Sequence, residues 1–305
     1  MNCAWAVPVA VAGVALVAPV STTAQQQAPF RTTVARVRLD AMVTDRGRPI
    51  AGLTAADFEV KDNGRTVTGV EVEPIDEPVG VAIALDLGRS AREDGPKELV
   101  AACEALVRAL EPRDHAWLLT FASRFALKAG PTNDPLLLTR VLEDVKMEDG
   151  SAMWDALFGA VSLAAGRPGR ALVLLLTDGA DPGGNGSRAG STRTLDASWL
   201  TEQKSVDVLR RADVVVSGIR PPGVLYGFNA LEAAANATGG RVLYAQRGVK
   251  LDAQFVELLR EFRTGYVVSY PPAPSTRDGW HEVEVKLKGR RGTVRAREGY
   301  YEPGR

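Results

Sequence analysis

The chain contains 37 Lys and Arg residues and 37 Asp and Glu residues among its 305, so its net charge is zero. A neutral chain has no long-range field that would draw it to nucleic acid or to an anionic membrane, and we expect neither as a partner. The length is sufficient to bury the core of one large domain and of a smaller one.

Residues 1–24 have the features of an export signal. An apolar stretch at residues 5–20 is followed by polar residues, and Ala24 is a plausible cleavage position. A retained membrane anchor is the alternative. However, the stretch is shorter than the roughly 20 residues that a span needs, and Pro8 and Pro19 interrupt it. We therefore expect a cleaved signal, export to the periplasm or out of the cell, and no membrane insertion after cleavage.

Residues 30–78 are predicted to form β-structure. Apolar residues alternate with polar ones from Val37 to Val43, as in a half-buried strand. The sequence Asp62-Asn63-Gly64 then favours a tight hairpin, because Asn and Gly accept positive φ angles. This segment is too short to make a complete sheet by itself.

Residues 79–263 alternate between apolar strand patterns and amphipathic helix patterns. We predict strands at 81–85, 116–121, 171–176, 214–219 and 242–244, and helices around Cys103 and at 151–165, 197–211, 230–237 and 253–262. The alternation predicts an α/β domain with a doubly wound, mostly parallel sheet. Cys103 lies on an apolar helix face and is expected in the core. Residues 183–194 are predicted to be a mobile loop.

Residues 264–305 return to a β-strand pattern. Strands are predicted at 266–270, at 283–287 and at 293–297, with a turn at 289–292. Four arginines near the end, at 290, 291, 295 and 297, are interpreted as the solvated face of a strand. We expect this segment to pair with residues 30–78 in a small β-sandwich, into which the α/β domain is inserted.

Three polar loops follow or precede elements of the predicted parallel sheet. They are Asp86-Leu87-Gly88-Arg89-Ser90 after the first strand, the segment 149–157 before a helix, and Thr177-Asp178-Gly179 after the most apolar strand. In an open α/β sheet, ligands bind outside the carboxyl ends of the strands. We therefore expect these loops to meet at one edge.

These loops resemble the metal-ion-dependent adhesion site of von Willebrand factor type A domains. Asp86 and Ser90 match its first loop, Ser151 stands where a threonine is expected, and Asp178 matches its third loop. Gly88 departs from the pattern, because it replaces a serine of the first loop. The segments 52–60 and 297–301 are similar to those of an acidobacteria-type family of exported proteins related to von Willebrand factor type A domains.

The resemblance implies a protein-binding module with Mg²⁺ or Mn²⁺ held by Asp86, Ser90, Ser151 and Asp178. Mg²⁺ prefers about six oxygen ligands and usually keeps several waters. An acidic side chain of a partner protein can then take an open coordination position. Arg89 offers an alternative, because its charge beside Asp86 can neutralise the carboxylate without a metal.

A metal-independent scaffold that binds through its β-sandwich or other surfaces is the second hypothesis, favoured by Gly88 and Arg89, and the site residues also have possible structural roles. Ser90 with Glu93 matches a capping box, Ser151 can cap a helix, and Asp178 precedes a turn glycine. A metal-dependent hydrolase is the third hypothesis.

Enzyme activity finds little support in the sequence. There is no nucleophile elbow, zinc-binding His-Glu-x-x-His motif or phosphate-binding glycine loop. Both histidines, His115 and His281, border or begin strands and are interpreted as structural. We therefore expect no enzyme activity.

Overall fold

The computed structural model describes residues 36–88, 96–143, 145–165, 168–181, 198–221, 229–245, 250–272 and 279–302. The predicted export signal, the predicted loop at 183–194, and the residues Arg89, Ser90 and Glu93 lie outside this description. None of the helices in the described part combines the length and the apolar composition needed to cross a membrane.

The described part contains fifteen strands, six α-helices and one 3₁₀ turn, Ala55–Asp57. The strands are β1 (Val37–Asp45), β2 (Arg48–Pro49), β3 (Phe58–Asp62), β4 (Arg65–Thr66), β5 (Glu71–Pro74), β6 (Val79–Asp86), β7 (His115–Phe121), β8 (Phe125–Thr132), β9 (Arg170–Leu176), β10 (Val215–Arg220), β11 (Val242–Tyr244), β12 (Tyr266–Tyr270), β13 (Trp280–Leu287), β14 (Thr293–Ala296) and β15 (Gly299–Tyr301). The helices are α1 (Pro96–Arg108), α2 (Pro135–Glu143), α3 (Met153–Ala164), α4 (Glu202–Arg211), α5 (Ala230–Thr238) and α6 (Leu251–Arg263).

The central sheet has six strands in the order β11-β10-β9-β6-β7-β8. Neighbouring strands of this sheet run parallel, except that the edge strand β8 is antiparallel to β7. The chain moves from β6 toward β7 on one side, and from β9 toward β10 on the other. The strand order therefore reverses between β6 and β9, and the predicted doubly wound, mostly parallel sheet is confirmed.

Helices cover both faces of this sheet. Val81, Ile83 and Leu85 share a core with helices α1, α2 and α6, and Cys103 lies in it at 1% exposure, as predicted. The alternate residues of the same strand, Ala82 and Ala84, share a second core with helices α3, α4 and α5. Burial on both faces explains why the sequence of β6 is almost continuously apolar.

The remaining strands form two antiparallel sheets that pack on each other. One sheet has the order β14-β1-β12-β5 with β2 paired to β1, and the other has the order β15-β13-β3-β4. Their shared core contains Leu39 of the first sheet and Val60 of the second. Each sheet combines strands from both ends of the chain, which confirms the β-sandwich of the predicted fold class.

Some of the predicted local features are wrong. Arg290 and Arg291 are exposed as expected, whereas Arg295 and Arg297 are half-buried. Arg297 donates to the carbonyl groups at the end of α4, which makes this side of the strand an internal contact rather than a solvated face.

The helix that was predicted at 197–211 begins only at Glu202. The side-chain oxygen of Thr201 accepts a hydrogen bond from the Lys204 N–H and caps the helix there.

Candidate functional site

The candidate site lies where the strand order of the central sheet reverses. Asp86 is the last residue of β6, and Leu85 beside it is paired with Leu176, the last residue of β9. Thr177 and Asp178 follow directly. Ligands of open α/β sheets bind at this position, because the two adjoining crossover connections run to opposite faces and leave a crevice.

The Asp86 carboxylate is surrounded by neutral hydrogen-bond donors. The side chain is 1% exposed. Its Oδ2 accepts a hydrogen bond from Thr177 Oγ1 at 2.7 Å and one from Ser151 Oγ at 3.2 Å. Its Oδ1 accepts the backbone N–H of Gly88 at 2.8 Å. The first and third loops, and the segment before α3, therefore meet at this carboxylate.

A second carboxylate adds negative charge to the same place. Burial, together with the smaller effect of the Asp178 charge, raises the pKa of Asp86 to about 7, although the three hydrogen bonds act to lower it. Asp178 is itself only 4% exposed, and its Oδ1 accepts the N–H of Ala180 at 2.8 Å. Two carboxylates with so little water around them favour a cation between them.

Ser151 reaches Asp86 because its loop is fixed at both ends. Upstream, the N–H of Glu148 donates to the carbonyl of Leu87 at 3.0 Å, and downstream the N–H of Ala152 donates to that of Ala122 at 2.6 Å. The prediction that Ser151 caps the following helix is wrong, since Ala152 occupies the N-cap position. The Ser151 hydroxyl is thereby directed to the site.

The N-terminal end of α3 is held by Asp181 rather than by Ser151. Asp181 accepts the N–H of Trp154 at 3.1 Å through its Oδ2, and the N–H of Ser198 at 3.2 Å through its Oδ1. It lies three residues beyond Asp178 and is 8% exposed. Asp181 thus ties the third loop to the start of α3.

At Gly88 the structure explains the departure from the expected motif. A Cβ atom at this position would lie 2.7 Å from the carbonyl oxygen of Gly150 and 2.9 Å from Asp86 Oδ1. Real Cβ atoms essentially never approach so closely, and the atom that blocks the place is a main-chain oxygen. The backbone leaves no room for the expected serine.

Three of the four predicted ligands, Asp86, Ser151 and Asp178, therefore lie together, and Ser90 lies outside the described residues. The role of Thr177 in the site was not predicted, although it stands next to Asp178 in the quoted loop. Among the described residues, no three His, Cys, Asp or Glu side chains form a group that can hold a metal. A cation here would use hydroxyl oxygens and water beside the carboxylates, a donor set that suits Mg²⁺ or Mn²⁺.

Neither histidine belongs to this site. His115 begins β7, whereas Asp86 is level with Phe121 at the other end of that strand. His281 is fully buried in the β-sandwich, where its Nδ1 lies 2.8 Å from Asp62 Oδ1.

Comparison with known proteins supports the fold. No protein-family model and no curated protein sequence matches the chain. Among solved structures, proximal thread matrix protein 1 from the mussel byssus is 16% identical with a TM-score of 0.50, over 66% of this chain and 50% of its own. This chain therefore spans about half of that protein. A second structure of the mussel protein, with zinc in its metal-ion-dependent adhesion site, has a TM-score of 0.49 at 17% identity, over 68% of this chain and 50% of its own.

A von Willebrand factor type A protein from Catenulispora acidiphila is similar over a longer part of the chain. It is 13% identical with a TM-score of 0.48, and the match covers 85% of this chain and 76% of the other. At these identities the similarity concerns the fold alone. The chain shares its α/β fold with the mussel byssus protein, in agreement with the fold class that the sequence predicted.

Proposed function

We propose that this protein is an exported protein-binding module whose contact with its partner is centred on a divalent cation. Asp86, Ser90, Ser151 and Asp178 would hold Mg²⁺ or Mn²⁺, and an acidic side chain of the partner protein would complete the coordination. After removal of residues 1–24, the protein would act in the periplasm or outside the cell.

One observation carries this proposal. Two buried carboxylates, those of Asp86 and Asp178, lie close together where the strand order reverses, and the described contacts of Asp86 are with hydroxyl and N–H groups. No positively charged side chain is among the described hydrogen-bond partners of Asp86. A cation would remove the electrostatic cost of this arrangement and leave a coordination position open toward solvent.

Each residue has a separate task in this proposal. The two carboxylates supply the charge that holds the cation. The Ser151 hydroxyl donates to Asp86 and keeps lone pairs available. Thr177 orients Asp86 without being proposed as a ligand. The bound cation would supply Lewis acidity and a fixed position for an incoming carboxylate.

Thermal unfolding of the chain without residues 1–24 tests the proposal. The melting temperature is measured in EDTA and then with excess Mg²⁺, Mn²⁺ or Zn²⁺. It should be higher with the cation than in EDTA, because a ligand that binds only the folded state stabilises that state. At a hundredfold excess over the dissociation constant the gain is about 2.7 kcal/mol. The variant Asp178→Ala should lose this response.

The matched control is Asp45→Ala, because Asp45 is an exposed carboxylate at the end of β1, outside the site. This variant should keep the response to the cation. A melting temperature that none of the three ions raises in the wild-type protein would overturn the proposal.

The metal-independent scaffold is the second candidate, and the geometry of Asp86 favours it in one respect. Both oxygens of this carboxylate already accept hydrogen bonds, and the carbonyl of Gly150 closes the place of the missing serine. In that case chelator would change neither stability nor partner binding. We propose no enzyme activity in either case, and turnover in a panel of ester, phosphate and peptide substrates would contradict this.

A further inference from the structure

The most exposed large apolar side chain in the described part of the chain is that of Trp199. The residue is 89% exposed, more than Leu136 at 70% or Tyr244 at 60%. A single exposed apolar residue is ordinary on a protein surface, so exposure alone means little. What distinguishes Trp199 is the way in which its backbone is held.

The segment that carries Trp199 is fixed by two carboxylates. The consecutive N–H groups of Ser198, Trp199 and Leu200 donate to Asp181 Oδ1 at 3.2 Å, Asp155 Oδ2 at 3.0 Å and Asp155 Oδ1 at 3.0 Å. In return, the N–H of Asp155 donates to the Ser198 hydroxyl at 3.0 Å. Hydrogen bonds to charged groups are among the stronger ones in proteins. The backbone is thus held in place while the indole projects into water.

The two carboxylates lie close in sequence to the proposed cation ligands, Asp155 in the first turn of α3 and Asp181 in the third loop. Asp155 lies four residues after Ser151, and Asp181 lies three residues after Asp178. The position of Trp199 is therefore set by the segments that also set the position of the cation.

Two further exposed aromatic residues lie on α3 and beside it, near this segment. Phe158 is one helical turn beyond Asp155, on the same side of the helix, and is 44% exposed. The ring of Phe125, also 44% exposed, lies against the neighbouring Gly159, where a Cβ would be 2.7 Å from it. We name Trp199, Phe158 and Phe125 the aromatic strip. Several exposed apolar residues grouped in one region mark interaction sites more reliably than single residues do.

We propose that the aromatic strip is the apolar half of the partner-binding interface, with Trp199 as its anchor. This inference rests on the proposed function. The partner is a protein segment that carries an acidic side chain for the cation and large apolar side chains next to it. The cation contact fixes orientation, whereas a preorganised tryptophan supplies affinity, since interface energy concentrates on such residues.

A displayed library of peptides of about 12 residues, each with a central Asp and random flanks, provides the probe. Binders are selected on the full chain in Mg²⁺ or Mn²⁺, and their affinities are then measured for variants. Trp199→Ala should weaken binding at least about tenfold. Leu136→Ala removes another exposed apolar side chain, on α2 and outside the strip, and should change binding by less than about twofold.

The melting temperature separates this inference from the function on which it rests. Trp199→Ala should keep the stabilisation by the cation, because the indole is not a ligand. If the cation does not stabilise the wild-type protein, the proposed function itself is overturned. Selected peptides that bind Trp199→Ala as tightly as the wild type, or a selection that yields no binder, would overturn only the strip. Dimerisation of the wild type that Trp199→Ala abolishes would also overturn it, because the strip would then contact a second copy.

Discussion

At position 88 any side chain would collide with the main chain of the loop that brings Ser151 to the site. The blocking atom, the carbonyl oxygen of Gly150, cannot swing away as the end of a flexible side chain can. Gly150 also has a φ of +89°, which residues with a side chain rarely adopt. The two glycines therefore depend on each other, and the altered motif is built into the backbone.

This leads to a prediction that is opposite to the one from motif comparison. Gly88→Ser restores the family pattern, but we expect it to destabilise the protein by about 1–3 kcal/mol, since it forces the two loops apart. It should also weaken any stabilisation by Mg²⁺ or Mn²⁺. Chemical denaturation with and without the cation measures both effects.

Gly88→Ala is the control for the collision itself. It introduces the same Cβ without a hydroxyl and should destabilise to a similar degree. A more stable Gly88→Ser protein with a larger cation response would show that the loops separate readily, and would contradict this account.

Side-chain chemistry made part of the site predictable from sequence. Asp86 directly follows an apolar run and Asp178 follows another after Thr177; both runs have the pattern of a buried strand, and the strand ends of a parallel sheet meet at one edge. The contact of Thr177 with Asp86 and the closeness of Gly150 to Gly88 could not be predicted. Both depend on how two loops far apart in sequence approach each other.

At the scale of elements, the strands buried on both faces were the most predictable, and the exposed edge was the least. β8 was not predicted. It is an antiparallel edge strand whose residues are largely exposed, and its pairing with β7 is irregular. Its sequence shows neither a continuous apolar run nor a strict alternation, which are the signals of a strand.

The prediction of where α4 begins failed for a related reason. Residues 198–200 have helix-compatible side chains, but their N–H groups are taken by Asp155 and Asp181, and Thr201 begins the helix instead. Such tertiary hydrogen bonds override local propensity.

The C-terminal motif residues join separate elements. Arg297 donates to the carbonyl groups of Leu209, Arg210 and Ala212, at distances from 2.7 to 3.4 Å, and so caps the C-terminal end of α4. The hydroxyl of Tyr300 donates to Asp62 at 2.8 Å, inside the β-sandwich. Segment 297–301 thus connects α4 and the β-sandwich in this chain.

Asp114 joins three further segments and makes stability dependent on pH. It is 3% exposed and accepts the N–H groups of Val79 and Glu111, both at 2.7 Å, and the guanidinium of Arg263 at 2.5 Å. Burial alone would raise the pKa of Asp114, but these hydrogen bonds and the Arg263 charge bring it below its ordinary value of 3.8.

The Asp114 carboxylate therefore binds a proton less readily in the folded state than in the unfolded state. The stabilisation by Asp114 is complete above its ordinary pKa and is lost as the pH falls through the lower pKa of the folded state. Asp114→Asn should be less stable than the wild type at about pH 6, and the difference should narrow at about pH 3. Urea denaturation at both pH values measures it, and a difference that grows on acidification would contradict the assignment.

At the scale of the whole molecule, the β-sandwich and the central sheet are connected through buried residues. Met42 of β1 lies in the core that covers one face of the central sheet. Asp40 of the same strand forms an ion pair with Arg170, the first residue of β9, and the two residues are only 6% and 4% exposed. The boundaries of an α/β domain at 79–263 remain a prediction, but these contacts favour unfolding of both parts together.

Replacing Asp40 tests this connection. Asp40→Ala leaves the Arg170 guanidinium buried, with only the largely exposed Asp213 as a described ion-pair partner, so we expect a loss of about 3–5 kcal/mol. Asp213→Ala removes that exposed partner, 3.3 Å from Arg170, and should cost less than about 1 kcal/mol.

The form of the transition decides whether the ion pair couples the two parts. Because the pair joins one strand of each, Asp40→Ala should lower the stability of both by the same amount. Calorimetry should then record a single transition, shifted as a whole. Hydrogen exchange should show the same added opening in β12 of the sandwich and in β6 of the central sheet, two strands that lie beside β1 and β9. A second transition, or exchange that rises in the sandwich alone, would mean that the central sheet folds independently and that the ion pair only docks the sandwich onto it.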